Sequence, residues 1–377
     1  MKEFRFMPKL AAAIVSVAMI FSGAVPAFAA TTDGNTTINT AGNSVKFNTT
    51  LSLSMETLGE NVQKRIPAKT FKYTVSPGSA VSSSNPIYAG VALSDTKSTV
   101  TATIAAQDVT SNQSSVSVDT TVDFSDVQWP QTGIYRYKVT NTDSATSAYT
   151  GSGFGKTMLL DVAVVNDSAG TGYKIDHAAL VNTTTNSDGT TTSSKSDGFV
   201  FNYQSKYMKF TKLVAGNQGD HNKDFQFTLN ISGATGLDYL NVTTTSTSTN
   251  SAAKKSGTID LTNGSTGDVT FYLKHDEYVV INNLPAGYHF TVNENKTDLT
   301  ANGYTPSISA TTGTLTVDNN NAKASANNVA SSLAFNVTNT KSGSVPTGVI
   351  FAVAPFAIGA VAIALFVILK VRKAAKQ

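Results

Sequence analysis

The sequence of 377 residues contains no cysteine. Disulfide bonds, which stabilise many exported proteins, are therefore excluded. The mechanical and proteolytic stability of the chain must come from elsewhere, and covalent chemistry between other side chains is one source.

A helical period is also absent. Between residues 31 and 343, apolar residues do not recur at helical intervals. Short alternating runs recur instead, bounded by Gly, Asn and Asp, as at residues 71–75, 135–139 and 225–229. Short strands at regular intervals with polar turns are typical of β-sandwiches, so we predict an all-β fold.

Motifs for catalysis are missing as well. The sequence has no G-x-S-x-G motif, no phosphate-binding glycine loop and no convincing nucleophile–base pair. The sequence has four histidines, at His177, His221, His275 and His289. Their intervals do not match the spacing of metal ligands. We therefore predict no enzymatic activity, no cofactor and no metal ion.

Asp220, Asn222 and Asp224 alternate like part of a calcium loop. The glycine and the terminal glutamate of an EF-hand are missing. We interpret these residues as a turn before the strand that begins near Phe225.

The N-terminus has the three parts of a secretory signal peptide. A basic start is formed by Lys2, Arg5 and Lys9. An apolar run follows over residues 10–25, and residues 27–29 read Ala-Phe-Ala, as a signal peptidase requires. A transmembrane anchor is the alternative, but the run is short and ends in a cleavage-type site. We predict a signal peptide over residues 1–30.

The C-terminus carries a second apolar run at residues 349–369, which is long enough to span a bilayer. A basic tail follows, with Lys370, Arg372, Lys373 and Lys376. The sequence Val345-Pro346-Thr347-Gly348 comes immediately before the run. This order resembles the sorting signal of sortase substrates, whose usual motif is LPxTG. The resemblance implies a sorting signal with its helix over residues 343–377. It also implies cleavage after Thr347 and transfer of the Thr347 carbonyl to an amine. The alternative is a plain membrane anchor.

The net charge of +3 comes from 28 Lys and Arg against 25 Asp and Glu. Seven of the basic residues and one acidic residue, Glu3, lie in the two terminal signals. The region between them therefore has 21 basic and 24 acidic residues, for a net charge of −3. The basic balance belongs to the targeting segments, so we expect no nucleic-acid binding.

The region between the signals contains an internal repeat. Residues 70–75 resemble residues 224–229, and residues 133–139 resemble residues 287–292. Repetition of similar strands in the same order predicts two related domains. We predict a linker over 31–42, a first domain over 43–205 and a second domain over 206–342. The linker between the domains is very short, so we expect them to stack end to end, as suits a rod.

Three segments of the second half carry a specific resemblance. They read F-T-K-L-V-A-G-N at residues 210–217, L-P-A-G-Y-H-F-T-V-N-E at 284–294 and F-N-V-T-N-T-K at 335–341. They resemble the streptococcal pilin isopeptide-linkage domain, an Ig-like sandwich of the Cna B type. The first half, with K-S-D-G-F at residues 195–199, is similar to the partner domain of such pilins. The resemblance implies two tandem Ig-like sandwiches in a secreted pilus subunit, joined to other pilin subunits or to peptidoglycan.

In that family a Lys on the first strand bonds to an Asn on the last strand, and a Glu assists. Here Lys212, Glu294 and Asn339 each share the parity of the apolar residues of their strands. The parity of Lys209 and of Asn336 is opposite. The alternative is a buried Lys–Glu salt bridge beside a satisfied Asn.

Burial lowers the pKa of a lysine and raises that of a glutamate. A neutral Lys212 amine can then attack the side-chain carbon of Asn339. A protonated Glu294 can polarise the amide and pass a proton to the departing ammonia. The expected product is an isopeptide bond from the first strand to the last.

The first half lacks these groups. Thr49 occupies the position of the Lys, Asn141 that of the Glu and Phe201 that of the Asn. Asn202 is adjacent to Phe201 but faces the other way. We predict that no isopeptide bond forms there.

A pilus shaft subunit also needs a lysine that accepts Thr347 of the next subunit. The family places this lysine in the first domain, near the last strand. Lys195 is therefore the candidate acceptor, and Lys206 is the second choice. The alternative is that Lys195 is an ordinary surface lysine. A different hypothesis is a monomeric adhesin anchored to the cell wall, which binds a ligand on a host or neighbouring cell in a groove.

Overall fold

The computed structural model describes residues 40–167 and 172–343. The predicted signal peptide and almost all of the predicted sorting signal lie outside these residues. Strands dominate the described part, and its one α-helix is the six-residue α1 at Lys296–Ala301. None of the described helices has the length and apolar character that crossing a membrane requires. The predicted all-β class is confirmed.

The first half contains thirteen strands before the long strand that joins the halves. They are β1 Thr40–Ala41, β2 Ser44–Met55, β3 Lys64–Ile66, β4 Lys69–Pro77, β5 Ile87–Ala89, β6 Thr99–Ile104, β7 Gln107–Val109, β8 Ser115–Asp123, β9 Gly133–Asn141, β10 Tyr149–Thr150, β11 Thr157–Asn166, β12 Tyr173–Thr185 and β13 Thr191–Ser196.

The joining strand and the second half contain the remaining eleven strands. They are β14 Gly198–Ala215, β15 Phe225–Ser232, β16 Tyr239–Thr244, β17 Gly257–Asp260, β18 Val269–Leu273, β19 Tyr278–Pro285, β20 Tyr288–Glu294, β21 Thr305–Thr312, β22 Thr316–Asp318, β23 Lys323–Val329 and β24 Leu333–Thr340. A 3-10 turn lies at Asn319–Asn321.

Two sheets enclose the core of the first half. One has the order β13-β12-β11-β9-β4-β6, with β5 on the side of β9. In the other, β2 lies between β8 and the first part of β14. Alternation in the sequence creates the core, because every second residue of β4 is buried between Phe71 and Val75. Phe47, Tyr73 and Phe199 make contacting aromatic pairs inside it.

The second half repeats this arrangement. One sheet has the order β17-β16-β19-β14-β24-β21, and the other has the order β18-β15-β20-β23-β22. Phe210 lies at the centre and contacts the rings of Phe227, Phe271 and Phe335. Full burial of one such side chain contributes about 1.5–3 kcal/mol to the stability of the fold.

A single strand, β14, belongs to both halves and has 18 residues. Its first part pairs in parallel with β2, and its second part pairs in parallel with β24. Each half therefore places its first long strand beside its last strand, and the two run in the same direction. Along β14, the hydrophobic core of the first half ends at Tyr203, and that of the second half begins at Met208. The sequence predicts a short linker near Ser205, and the chain there is continuous strand.

Side chains on both flanks of β14 also join the halves. Arg65 contacts Asp108 at 2.7 Å and Asp238 at 2.6 Å, so that one guanidinium bridges the two halves. On the other flank, Lys206 is only 7% exposed, and its amine lies 2.5 Å from the carboxylate of Glu56. Contacts on more than one side of a shared strand oppose bending at the junction.

The start of β14 allows no side chain at Gly198. A Cβ atom at this position would overlap the main-chain carbonyl of Asn48 on β2. We predict that Gly198→Ala lowers the free energy of unfolding of the first half by about 2–3 kcal/mol, because overpacking beside main chain forces a backbone shift. Denaturant unfolding followed by the fluorescence of Trp129, which is buried in this half, measures the change.

Val200→Ala is the matched control on the same strand. Val200 is 46% exposed, so its truncation removes little buried surface. Its unfolding midpoint should lie close to that of the unaltered chain. Equal midpoints for Gly198→Ala and Val200→Ala would contradict the close packing of β14 on β2.

Candidate functional site

Alternation along β14 turns Lys212 into the core of the second half. Met208, Phe210, Lys212 and Val214 are buried, and the residues between them are partly exposed. The side chain of Lys212 is 0% exposed. An ionised amine in such a place is costly unless it has a partner.

Glu294 and Asn339 come to the same place from two other strands. Both are the buried members of alternating strands, Glu294 at the end of β20 and Asn339 near the end of β24. Lys212 pairs with Val337 and Val214 with Asn339, so the Lys and the Asn lie diagonally on neighbouring strands. Glu294 reaches them from the opposite sheet.

One oxygen of Glu294 joins the three side chains. Lys212 Nζ lies 3.0 Å from Glu294 Oε1, and Asn339 Nδ2 donates to the same Oε1 at 2.6 Å. The amine and the amide are therefore close neighbours. Nζ also donates weakly to the carbonyl of Val337 at 3.4 Å, which directs it along β24.

The surroundings of the amine are aromatic. The Lys212 Nζ atom lies 4.4 Å from the centre of the Phe225 ring and 5.9 Å from that of Phe227. Both phenylalanines follow the inward parity of β15. That parity is visible in the sequence, but it does not show which inward residues contact the amine, so this contact was not predicted.

Burial dominates the ionisation of the pair. It lowers the pKa of Lys212 from 10.5 to about 8, against the opposing effect of Glu294. It raises the pKa of Glu294, again against the pull of its partner. Both shifts favour the neutral amine and the neutral carboxylic acid.

Two acceptor atoms of the cluster have no hydrogen-bond donor in the described part of the chain. They are Glu294 Oε2 and Asn339 Oδ1, and both are buried. A resting salt bridge with this geometry leaves two desolvated oxygens unsatisfied, which is costly. Rotation of the Asn339 amide by half a turn about Cβ–Cγ exchanges Oδ1 and Nδ2. Oδ1 then faces Glu294, where a protonated carboxyl group can donate to it.

These groups can carry out one reaction with each other. The neutral Nζ of Lys212 adds to Cγ of Asn339, and the proton that it loses passes through Glu294 to Nδ2. The Cγ–Nδ2 bond breaks and ammonia departs. A secondary amide between Nζ and Cγ remains, and Glu294 is regenerated.

The matching positions of the first half hold different groups. Thr49, Asn141 and Phe201 are all buried there. The Thr49 hydroxyl makes hydrogen bonds to the Tyr73 hydroxyl at 2.8 Å and to the Thr120 hydroxyl at 2.6 Å. A chain of three neutral hydroxyls thus occupies the place of the amine. Thr120 lies on β8, the strand beside β2, and Tyr73 lies on β4 of the opposite sheet. The sequence did not indicate either residue as a partner, because alternation along one strand does not show which residues of other strands it contacts.

The two candidate acceptor lysines differ in accessibility. Lys195 is exposed on β13, the outermost strand of its sheet, and has no acidic group within 4.0 Å among the described residues. Lys206 is buried against Glu56 at the junction and is therefore a poor acceptor. Thr347 and the rest of the predicted sorting motif lie outside the described residues.

The histidines and the acidic turn can also be placed. The rings of His221 and His275 lie 3.9 Å apart, and the Asn222 N–H donates to the Asp220 carboxylate in a turn before β15. Within residues 40–167 and 172–343, no three His, Cys, Asp or Glu side chains are grouped so as to hold a metal ion.

Known proteins resemble this chain over most of its length. A protein named pilin from Streptococcus pyogenes serotype M1 is 26% identical over 361 residues, covering 92% of this chain and 95% of the relative. Residues 206–330 match a family described as a domain of unknown function, DUF7601. The resemblance to streptococcal pilins that the motifs indicate is confirmed.

Solved structures share the fold. The crystal structure of the major pilin from Streptococcus pyogenes has a TM-score of 0.55 at 20% identity, covering 79% of this chain and 99% of that one. The major pilin T3.2 from Streptococcus pyogenes serotype GAS13637 has a TM-score of 0.51 at 20% identity, covering 79% of this chain and 98% of that one. The fold of the described residues is therefore that of the streptococcal major pilins.

The reaction of Lys212 with Asn339 predicts a mass change. Loss of ammonia makes the purified protein lighter than its sequence by about 17 Da. We predict that Lys212→Met and Asn339→Ala restore the sequence mass, and that Glu294→Gln slows or abolishes the loss. Intact-mass spectrometry of the folded protein gives the result.

Lys209→Met and Asn336→Ala are the matched controls, because both residues lie on the same strands with opposite parity. They should keep the deficit. A full sequence mass in the unaltered protein would contradict the bond and favour the resting salt bridge.

The Lys212 pKa predicts a stability that depends on pH when the bond cannot form. In Asn339→Ala the folded amine loses its proton near pH 8, and the unfolded amine keeps it until about pH 10.5. The unfolded state then binds more protons, so the free energy of unfolding should rise between these pH values, by up to about 3 kcal/mol.

The reference is the double variant Lys212→Met with Asn339→Ala, which retains every other ionisable group. Urea unfolding of both proteins between pH 8 and 10.5 isolates the Lys212 contribution. A difference in stability that stays constant over this range would show that the amine titrates normally.

Proposed function

We propose that this chain is a shaft subunit of a sortase-assembled pilus, attached to the surface of a Gram-positive cell. It acts as a structural unit and not as an enzyme on an external substrate. Two sandwich domains, over residues 43–205 and 206–342, form its rigid body. The homologous pilin and the shared pilin fold support this proposal.

One geometric observation carries the proposal. Lys195 lies three residues before β14, and Ala215 at the other end of β14 pairs with Thr340 at the end of β24. At 3.3 Å per residue, the 18 residues of β14 separate these points by about 60 Å. The candidate acceptor and the segment that leads to the candidate donor are therefore on opposite ends of the molecule, as a head-to-tail fibre requires.

The covalent step joins two copies. A sortase breaks the peptide bond between Thr347 and Gly348 and holds the Thr347 acyl group. The Lys195 amine of the next copy attacks that carbonyl, and an amide bond forms as the sortase is released. Transfer to an amine of peptidoglycan, in place of Lys195, ends the fibre on the cell wall.

The bond within the second half reinforces the subunit itself. An amide between Lys212 and Asn339 fixes β14 to β24, the strand that leads to the donor. The first half relies on hydroxyl contacts and on its aromatic core.

The adhesin hypothesis requires a ligand groove. A cleft of about 370 Å³ lies at the junction of the halves, with Lys69, Ser147, Tyr149 and Asn328 in its lining. In the adhesin hypothesis this cleft is the place where a host-surface or cell-surface ligand would bind.

We predict that extracts of the cell wall contain a ladder of covalent oligomers that resists heat and SDS. Lys195→Ala should reduce the ladder to the single subunit, because the fibre bond needs that amine. Immunoblotting of muramidase-released wall material with antibodies to this chain measures the effect.

Lys174→Ala is the control, because Lys174 is exposed on the neighbouring strand β12. It should leave the ladder unchanged. A single species from the unaltered chain would favour the adhesin, and an intact ladder from Lys195→Ala would assign the acceptor to another lysine.

A further inference from the structure

The outer edge of β13 is open in the described part of the chain. β13 pairs with β12 on one side, from Leu180–Ser196 to Thr185–Thr191, and it is the last strand of its sheet. Its other side presents main-chain N–H and C=O groups at alternate residues, which is the pattern that an added strand binds. Lys195 lies on this strand.

The strand is short, polar and built only of Thr, Ser and Lys. Thr191, Ser193 and Lys195 are exposed, and the residues between them are partly exposed. A chain that binds along this edge gains main-chain hydrogen bonds and displaces little apolar surface. Such an occupant is an extended segment and not a helix or an apolar plug.

The segment that leads to Thr347 is short, because Gly343, the residue before it, is held by hydrogen bonds. The Gly343 N–H donates to the Asn217 side chain at 2.9 Å, and the Asn217 amide donates back to the Gly343 carbonyl at 2.9 Å. The Gln218 N–H also donates to the Lys341 carbonyl at 3.1 Å. Only residues 344–347 remain between this anchor and the donor carbonyl, and they reach about 13 Å when extended.

This reach excludes a reaction within one molecule. The anchor at Gly343 and Lys195 are separated by the length of β14, about 60 Å, which is several times the reach of four residues. The donor must therefore meet Lys195 of a second copy. In doing so it brings the end of the second half of one copy against β13 of the next.

We propose that residues 344–347 of one copy add as a short strand to the outer edge of β13 of the next copy, and that this pairing presents the Thr347 carbonyl to Lys195. The inference rests on the proposed polymer and names the surface through which its subunits dock. Main-chain pairing holds the four residues extended beside the acceptor. Pro346 lacks an N–H group and is compatible with such an edge position.

Hydrogen exchange of the assembled material tests the docking. Oligomers released from the cell wall are compared with the monomeric Lys195→Ala chain. We expect exchange to slow by roughly tenfold or more at alternate amides of β13 and within residues 344–347 of the oligomers. Strand β6, the other edge of the same sheet, is the internal control and should exchange equally in both samples.

The two possible failures are distinguishable. Oligomers that contain the Thr347–Lys195 bond but exchange β13 amides as fast as the monomer would overturn the strand addition and leave the polymer intact. An unaltered chain that forms no oligomers would overturn the proposed function, and this inference with it.

Discussion

The contact between Lys212 and Glu294 imposes the strictest constraint on the structure. Both side chains are removed from solvent, and a pair in that position is stabilising only when every remaining donor and acceptor is satisfied. Glu294 Oε2 and Asn339 Oδ1 are not satisfied within the described residues. As a resting salt bridge, the arrangement therefore raises the free energy of the folded state. As a set of reactants it does not keep that penalty, because an amide bond removes the amine and its charge and frees the carboxyl group.

The long strand β14 explains why this contact has consequences beyond its own half. One part of β14 lies beside β2 and the other beside β24, so each half uses the same strand as a boundary. The pairing is parallel in both places, which shows the repeat at the level of topology. The groups at the matching positions nevertheless differ, with Lys212 in one half and Thr49 in the other. Thr49 is neutral and needs only the hydroxyls of Tyr73 and Thr120, so it is compatible with burial without a reaction.

Much of this could be predicted from the sequence. Alternation places Lys212, Glu294 and Asn339 on the inward faces because a strand repeats its orientation every two residues. Similar spacing in the two halves predicts the repeat. The continuity of β14 was not predictable, because a short linker and an uninterrupted strand differ only in hydrogen bonds to distant segments. Helix α1 at Lys296–Ala301 escaped detection because six residues are too few to show a helical period.

The order of β13 and β14 has a consequence for a fibre joined through Lys195 and Thr347. Tension would enter at β13, run along β14 to Lys212, cross to Asn339 and leave through β24. The backbone before Lys195, which includes β2, β4 and β9, is outside that route. In such a fibre, unfolding of the part of the first half before Lys195 would leave the covalent route intact, because that part would carry no load.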